Sequence, residues 1–253
     1  MNEYSKRYEL KDRAKDTLRG NYGILILGSF LFSLIICLVI FIFGFAFFIS
    51  LVASMYSGSP YSVACFRIFQ AGLLIGQLLS GFLTFGISYL CLKLACGQPG
   101  SYMDVFYGFR RENLPKTLLL SAVQVLLNVL CLAPYEYLRT RYLNVQDLQW
   151  LLAALLALVI GYAIYIPLSL TFDITYYLLL DFPDKKAAEI IRDSFRVIRG
   201  HRGRFFLLQC SFIPLYLLCE LSLGIGFLWL TPYIHMTLVL FYLDLFNPGK
   251  GNA

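Results

Sequence analysis

The chain has 253 residues, of which 59% are hydrophobic and only 14% are charged, and its formal net charge is +6. Soluble domains carry about 25% charged residues, so this composition is typical of an integral membrane protein. The segments between its apolar runs are too short to fold independently, which excludes a soluble catalytic domain.

Six apolar runs are long enough to cross a bilayer, because a helix needs about 20 residues to span the hydrocarbon core. We therefore predict an all-α, polytopic membrane bundle of about six transmembrane helices, forming a single integral membrane domain over residues 1–253. The runs cover residues 24–51, 68–92, 117–133, 151–179, 205–221 and 226–246.

The segment before the first run predicts a short amphipathic helix. Leu10, Ala14 and Leu18 fall on one side of it, and charged residues surround them. Gly20 follows, and it would let the chain turn from the membrane plane into the first span, because glycine adopts left-handed conformations at little cost.

Residues 187–198 predict a clearer amphipathic helix, since their apolar residues recur at the spacing of one helical face. Asp184 is the predicted N-cap and Gly200 the predicted C-cap. We expect this helix to lie in the cytoplasmic interface of the membrane.

Short cytoplasmic segments of similar design recur along the chain. Gly20, Gly108 and Gly200 are 88 and 92 residues apart, and each precedes a pair of spans. This pattern predicts three pseudo-repeats over roughly 1–96, 97–180 and 181–253, each an interfacial amphipathic helix followed by a helical hairpin. The alternative is that these segments are ordinary charged helix ends with common caps.

The distribution of positive charge predicts the orientation of the chain. Seventeen of the 21 Lys and Arg residues lie before span one, between spans two and three, or between spans four and five. Positive charge is retained on the cytoplasmic side, so both termini should be cytoplasmic in a multi-pass bacterial inner (plasma) membrane protein. Trp150 and Trp229 then fall at the outer ends of spans, where such rings prefer the interface.

Ionisable groups inside spans are costly and are candidates for function. Asp173 in span four is a candidate proton or cation site, and its alternative is a structural pair with Lys93 or proximity to the interface. His235 in span six is a candidate titrating group, or else a hydrogen-bonded packing residue. Glu220 lies close to the outer end of span five.

Polar residues also follow helical spacing within spans two and three. Gln77, Gln124 and Asn128 could line a polar path, although hydrogen bonds between helices produce the same pattern. Gly72 and Gly76 favour close helix packing.

A cluster of cytoplasmic cations would contact anionic lipid headgroups, the expected partners of the chain. A basic inner face follows from membrane orientation alone, so nucleic acid is not an expected partner. Another membrane protein or a second copy of the chain remains open as a partner. The headgroup candidates are Arg192, Arg196, Arg199, His201, Arg202 and Arg204.

Motifs of enzymes and cofactor sites are absent from the sequence, including the Walker loop, GxSxG and HExxH. We expect no catalytic residue, metal or cofactor. The favoured hypothesis is a non-enzymatic component related to transport or membrane assembly. The alternatives are a lipid-handling protein or enzyme at the cytoplasmic leaflet, and a purely structural partner of another membrane protein.

The run from Ala187 to Leu245 resembles the bacterial integral-membrane family known as domain of unknown function nine-seven-five. The leader and the stretch from Asp104 to Phe109 resemble the same family in order, whereas Arg202, Arg204 and Pro214 depart from its pattern. The family has no established activity, so the resemblance implies no catalytic residue. The matching residues of the last run include Ile190, Ser194, Gly200, His201, Phe206, Ser211, Phe212, Gly224, Gly226, Trp229, Pro232, Tyr233, Phe241 and Tyr242.

Overall fold

The computed structural model describes residues 4–57, 62–222 and 224–246. Within these ranges all regular structure is helical, and six helical segments are long and apolar enough to cross a membrane. This confirms the predicted all-α class and the count of six. The segments are Tyr22–Ile49, Arg67–Ala95, Leu114–Val145, Leu148–Asp181, Arg202–Leu221 and Phe227–Phe246.

Three short helices lie outside these six segments. Each short helix precedes two membrane-length segments, which is the predicted element order, while the repeat itself stays a prediction. In chain order the helices are α1 (Arg7–Leu18), α2 (Tyr22–Ser57), α3 (Ser62–Ala95), a 3₁₀ helix (Tyr102–Phe109), α4 (Leu114–Val145), α5 (Leu148–Asp181), α6 (Ala187–Val197), α7 (Arg202–Cys210), α8 (Ile213–Leu221) and α9 (Phe227–Phe246).

The described chain forms two compact units. Unit 1 comprises the residues up to Ser121 together with those from Gly203 onward, and unit 2 comprises Ala122–Arg202. Unit 1 therefore joins α1, α2, α3, the 3₁₀ helix and the start of α4 to α8, α9 and nearly all of α7. The helices α5 and α6 lie in unit 2 with most of α4.

The 3₁₀ helix packs against α3 with backbone in direct contact. A Cβ atom at Gly108 would lie 2.6 Å from the carbonyl oxygen of Phe82, and one at Gly86 would overlap the carbonyl oxygen of Val105. Gly108 thus serves close approach and has no left-handed φ. Gly20 and Gly200 do adopt positive φ, at 85° and 103°.

The glycines of α3 were predicted to support close helix packing. Gly72 does so, because a Cβ atom there would overlap the side chain of Phe43 in α2. Gly76 does not, since no neighbouring atom lies within 4 Å of a Cβ at that position.

The first helix, α1, packs lengthwise and antiparallel against the last helix, α9. Ser5, just before α1, bonds to Asp244 near the end of α9, and Lys15 lies near Tyr233, eleven residues earlier in α9. The predicted apolar face of α1 is fully buried, with Leu10, Ala14 and Leu18 at most 1% exposed. That face is covered by protein, which differs from a helix that lays its apolar face on lipid.

The predicted amphipathic helix of unit 2, α6, packs against α5. The Thr175 hydroxyl donates a 2.9 Å hydrogen bond to Oγ of Ser194. Lys186 is the N-cap, so the prediction of Asp184 is wrong. The amide of Ile190 bonds to the carbonyl of Lys186, which starts the helix two residues after Asp184.

The third membrane segment is longer than its apolar run. Helix α4 continues to Val145, because local pairs such as Arg139 with Glu136 support its polar last turns. The connection to α5 is then very short: Gln146 has a φ of 55°, and the Asp147 side chain caps α5 by accepting from the amide of Gln149.

Candidate functional site

The fifth membrane segment is interrupted, although the sequence predicts a continuous span over 205–221. Helix α7 ends at Cys210 and α8 begins at Ile213. Pro214, in the first turn of α8, is the physical cause, because proline lacks an N–H group and its ring clashes with the carbonyl four residues earlier. The ammonium group of Lys11 in α1 donates a 3.0 Å hydrogen bond to the carbonyl oxygen of Ser211 within this break.

Lys11 is held between polar and aromatic groups. Its Nζ lies 4.2 Å from the ring centroid of Phe212, a cation–π distance. Burial lowers the pKa of the Lys11 ammonium, and the positive charges of Lys15 and Arg7 act in the same direction. In the described part of the chain no ion pair involves Lys11.

A cleft of about 720 Å³ lies beside Lys11, bordered by α1, the start of α2, α8 and the start of α9. Its volume is within the usual range for pockets that hold a small organic ligand. Cationic and phenolic groups come from α1, α2 and α9, whereas the remaining walls are mostly apolar. The lining residues are Lys11, Lys15, Tyr22, Leu215, Leu218, Cys219, Ser222, Gly226, Trp229, Leu230 and Tyr233.

The two lysines of the cleft are four residues apart, so they lie on one face of α1 about one turn from each other. The ammonium group of Lys15 lies 3.0 Å from the carboxylate of Asp12. This hydrogen bond is the main reason that the pKa of Lys15 is raised. Lys15 is therefore partly neutralised by a neighbour, whereas the partners of Lys11 among the described residues are a carbonyl and an aromatic ring.

The apolar wall of the cleft is open on its outer side. Leu218 is 62% exposed and Trp229 is 53% exposed, and both belong to segments capable of crossing a membrane. Such large exposed apolar side chains are expected where hydrocarbon chains are the surroundings. The cleft thus has a charged end and an exposed apolar side.

The turn between α8 and α9 shapes the floor of the cleft. A Cβ atom at Gly226 would lie 2.6 Å from Sγ of Cys219, so only glycine fits without displacement. Ser222 secures the turn, since its hydroxyl oxygen accepts a 3.0 Å hydrogen bond from the amide of Gly226. Gly224 supplies a positive φ of 85° between them.

Arg204 was predicted to contact lipid headgroups, which stays a prediction, and within unit 1 it forms an ion pair. Its Nη2 lies 2.7 Å from Asp244 and also donates to the backbone carbonyl of Ser5, while its guanidinium lies over the rings of Tyr4 and Phe241. Asp244 further accepts hydrogen bonds from the amide and hydroxyl of Ser5. We call Ser5, Arg204 and Asp244 the terminal cluster, because it joins the beginning of the described chain to its end.

Lys93 has a different partner from the one considered in the sequence. Its ammonium group lies 3.0 Å from Asp104, whose carboxylate also accepts from the amide of Ser101 at the start of the 3₁₀ helix. The same carboxylate therefore caps this helix and binds the end of α3. The partner of Lys93 is therefore Asp104, whereas the sequence suggested Asp173.

The polar residues predicted inside spans divide between the two units. Asp173, Gln124 and Asn128 are half-buried in unit 2, where the amide oxygen of Gln124 accepts a 3.2 Å hydrogen bond from the hydroxyl of Tyr176. For Gln124 this is the interhelical bond that was the alternative to a polar path. Convergence of all these residues on one site stays a prediction.

Three further polar residues were singled out in the sequence, and all lie in unit 1. Gln77 in α3 and His235 in α9 are half-buried, and neither lines the cleft. Glu220 is exposed near the end of α8, next to the cleft-lining Cys219 but outside the cleft lining.

The remaining headgroup candidates lie in unit 2. Arg192, Arg196, Arg199 and Arg202 are exposed, and His201 is half-buried. Arg196 lies 3.2 Å from Asp193, which Lys185 also binds at 2.8 Å. The Lys185 hydrogen bond is the main reason that the pKa of Asp193 is lowered.

Comparison with known proteins identifies the family of the chain. A sequence profile described as "Protein of unknown function (DUF975)" matches residues 1–247. The chain belongs to the DUF975 family. This confirms the resemblance seen in the sequence. No curated protein and no solved structure matched the chain.

In this DUF975 chain, several residues that carried the resemblance border the cleft, among them Gly226, Trp229 and Tyr233. Sequence reasoning did not single out Lys11 or Lys15 as site residues, because charge before a first span is expected of any inner-membrane protein. Pro214 was the available signal, since a proline within an apolar run indicates a broken helix and a free carbonyl.

Proposed function

We propose that this DUF975 protein is a non-enzymatic, lipid-handling membrane component that takes an amphiphile from the bilayer into the cleft of unit 1. The observation that carries this proposal is the cleft itself, which combines an apolar wall with a polar end formed by α1. Of the hypotheses drawn from the sequence, this is the one that the geometry supports best.

The shape of the cleft suits a molecule with one polar and one apolar part. Leu215, Leu218 and Leu230 supply apolar contacts, and the exposed Leu218 and Trp229 border the side from which a hydrocarbon chain would enter. Tyr22 and Tyr233 supply hydroxyl groups at the other end. A hydrocarbon chain along α8 and a polar head near α1 would satisfy both kinds of wall.

The two tryptophans of the chain provide a direct test. Trp229 lines the cleft, so a Trp150→Phe protein has a single tryptophan, which lies at the site and can be excited selectively over the tyrosines. Titration of this protein in neutral detergent with dibrominated monoacylglycerol or dibrominated fatty acid should quench Trp229 with saturation, because bromine quenches only at short range. Quenching that rises linearly with the mole fraction of the probe would mean simple partition into the micelle and would contradict the proposal.

Helix α8 offers a matched pair of variants for this titration. Leu217 and Leu218 are both 62% exposed, but only Leu218 lines the cleft. Leu218→Phe should weaken saturable quenching by filling the cleft, whereas Leu217→Phe should leave it unchanged. Equal effects of the two variants would show that the probe binds elsewhere on α8 or α9, or that a second copy of the chain covers this face.

The transport or assembly hypothesis remains a second candidate, with unit 2 as its support. Asp173 lies half-buried in a candidate membrane span, in the same helix as Thr175 and Tyr176, which bond to Ser194 and Gln124. A carboxylate at such a depth is costly and therefore a functional candidate. If transport of a proton or cation is the function, Asp173→Asn should abolish uptake into proteoliposomes while the protein remains folded.

The proposed setting is the inner membrane of a bacterium, with both termini in the cytoplasm and α6 facing anionic headgroups. Its support is the charge asymmetry of the sequence and the exposure of Arg192, Arg196, Arg199 and Arg202. A carboxy-terminal fusion should be fluorescent with green fluorescent protein and inactive with alkaline phosphatase. The reverse pattern would overturn this orientation.

A further inference from the structure

We propose that the ligand of the cleft is an anionic amphiphile with one hydrocarbon chain, and that Lys11 binds its carboxylate or phosphate head. This inference rests on the proposed function, since it names the chemical class of the molecule that the cleft takes up. The break in the fifth membrane segment is what places the lysine there.

The break fixes the position of the Lys11 side chain. Its bond to the carbonyl of Ser211 and its contact with the Phe212 ring hold the ammonium group at the junction of α7 and α8. An ammonium group has three N–H donors, so this single bond leaves two for a ligand. The lysine is thereby oriented before a ligand arrives, which lowers the entropy that binding must overcome.

The surrounding charges favour an anion over a neutral head. Asp12 binds Lys15, so it offsets part of that second charge, but in the described part of the chain no carboxylate pairs with Lys11. A head that approaches Lys11 also comes within about one helical turn of Lys15 and meets the hydroxyl groups of Tyr22 and Tyr233. Hydrogen bonds to charged groups are the stronger ones, particularly where burial limits screening.

The volume and walls of the cleft favour a single chain. Leu215, Leu218 and Leu230 form an apolar wall of the cleft on α8 and α9, and Trp229 lines the same cleft. A free inorganic anion would satisfy the lysines and leave this wall without contacts. The ligand is therefore of lipid origin, with its head at α1 and its chain along α8.

The test compares two probes that share one hydrocarbon chain and differ in charge. In the Trp150→Phe protein, dibrominated fatty acid at about pH 8, where its carboxylate is ionised, should bind about tenfold more tightly than uncharged dibrominated monoacylglycerol. Lys11→Gln should remove most of this preference, and Lys11→Arg should retain most of it. Arg19→Gln is the matched control, because Arg19 is an exposed cation at the end of α1, outside the cleft.

The outcomes separate this inference from the proposed function. Equal saturable binding of the two probes, or a preference that survives Lys11→Gln, overturns the anionic ligand but leaves a lipid-binding cleft. Absence of saturable quenching by both probes overturns the proposed function as well. Displacement of the fatty acid by inorganic phosphate alone would assign the site to a free anion and contradict the lipid ligand.

A folding defect in Lys11→Gln does not remove the test. The charge preference is measured first in the Trp150→Phe protein, and Lys15→Gln then gives an independent reading of the same cleft. If Lys15→Gln leaves the preference near its original value while Lys11→Arg keeps it, Lys15 is excluded as the cation that binds the head and the assignment to Lys11 stands. If Lys15→Gln alone abolishes the preference, the assignment to Lys11 is wrong.

Discussion

The guanidinium group of Arg204 and the carboxylate of Asp244 lie 2.7 Å apart and join the start of α7 to the end of α9. The Asp244 side chain is only 2% exposed, and its remaining hydrogen bonds come from the amide and hydroxyl of Ser5. Two helices and the segment before α1 are therefore held by one buried carboxylate. Arg204, which departs from the family pattern, thus forms a structural ion pair.

Removal of the Asp244 charge should strongly destabilise unit 1. Asp244→Asn leaves the Arg204 cation without its partner, and breaking a buried ion pair on one side costs about 3–5 kcal/mol. The free energy of unfolding, measured by titration of the purified protein with a denaturing detergent, should fall by an amount of this order.

The exposed pair of Arg19 and Asp16 is the control for this measurement. Its side chains are 80% and 65% exposed, so Asp16→Asn should have little effect on unfolding. Equal losses for Asp16→Asn and Asp244→Asn would mean that the terminal cluster has no special role.

Two glycines of α3 should respond in opposite directions to the same substitution. Gly86→Ala forces a methyl group into the carbonyl of Val105, so it should separate the 3₁₀ helix from α3 and lower the thermal stability. Gly76→Ala meets no atom within 4 Å and should be neutral or stabilising by up to about 1 kcal/mol, because alanine favours helix more than glycine. Melting of both variants in the same detergent tests this contrast, which fails if Gly86→Ala is tolerated as well as Gly76→Ala.

Replacement of Thr117 by valine should stabilise the protein. Thr117 is fully buried in α4, and among the described residues its hydroxyl has no hydrogen-bond partner, so valine removes a desolvated polar group worth about 1 kcal/mol. Thr175→Val should destabilise by a similar amount, since that hydroxyl donates to Ser194. Unfolding titrations that gave both variants the same sign would contradict this reasoning.

Unit 2 should lose stability in acid through Asp193. Its pKa lies below the ordinary value of 3.8, chiefly because Lys185 donates a hydrogen bond to it. A carboxylate of this kind stabilises the fold above its ordinary pKa, and this contribution disappears as the pH falls through the lowered pKa. The wild-type protein should therefore be more stable than Asp193→Asn at about pH 7, and the two should converge as the pH falls through the lowered pKa of Asp193. A difference that persists unchanged in acid would show that the carboxylate charge is not the cause.

Much of the fold follows from local patterns in the sequence. The length of apolar runs predicted all six membrane segments, and the spacing of Leu10, Ala14 and Leu18 predicted the buried face of α1. Those patterns do not specify what covers an apolar face. The antiparallel packing of α1 on α9 depends on residues more than 200 positions apart, which helical periodicity cannot encode.

The candidate site was less accessible to sequence reasoning for the same reason. Asp173 and His235 stood out because charge within an apolar run is unusual, whereas Lys11 and Asp244 are ordinary residues near span ends. Their roles arise from tertiary partners: the carbonyl of Ser211 for Lys11, and Arg204 with Ser5 for Asp244. Pro214 indicated the break from the local sequence, but it does not indicate which side chain donates to the carbonyl that the break leaves free.

The bond between Ser5 and Asp244 has a consequence for biogenesis, because 239 residues separate its two ends. At synthesis rates of about 5–20 residues per second, the ribosome needs on the order of 10 to 50 s to make α9 after α1 has emerged. During that interval the apolar face of α1 has no α9 to bury it. Docking of α1 on α9 therefore cannot precede the synthesis of α9.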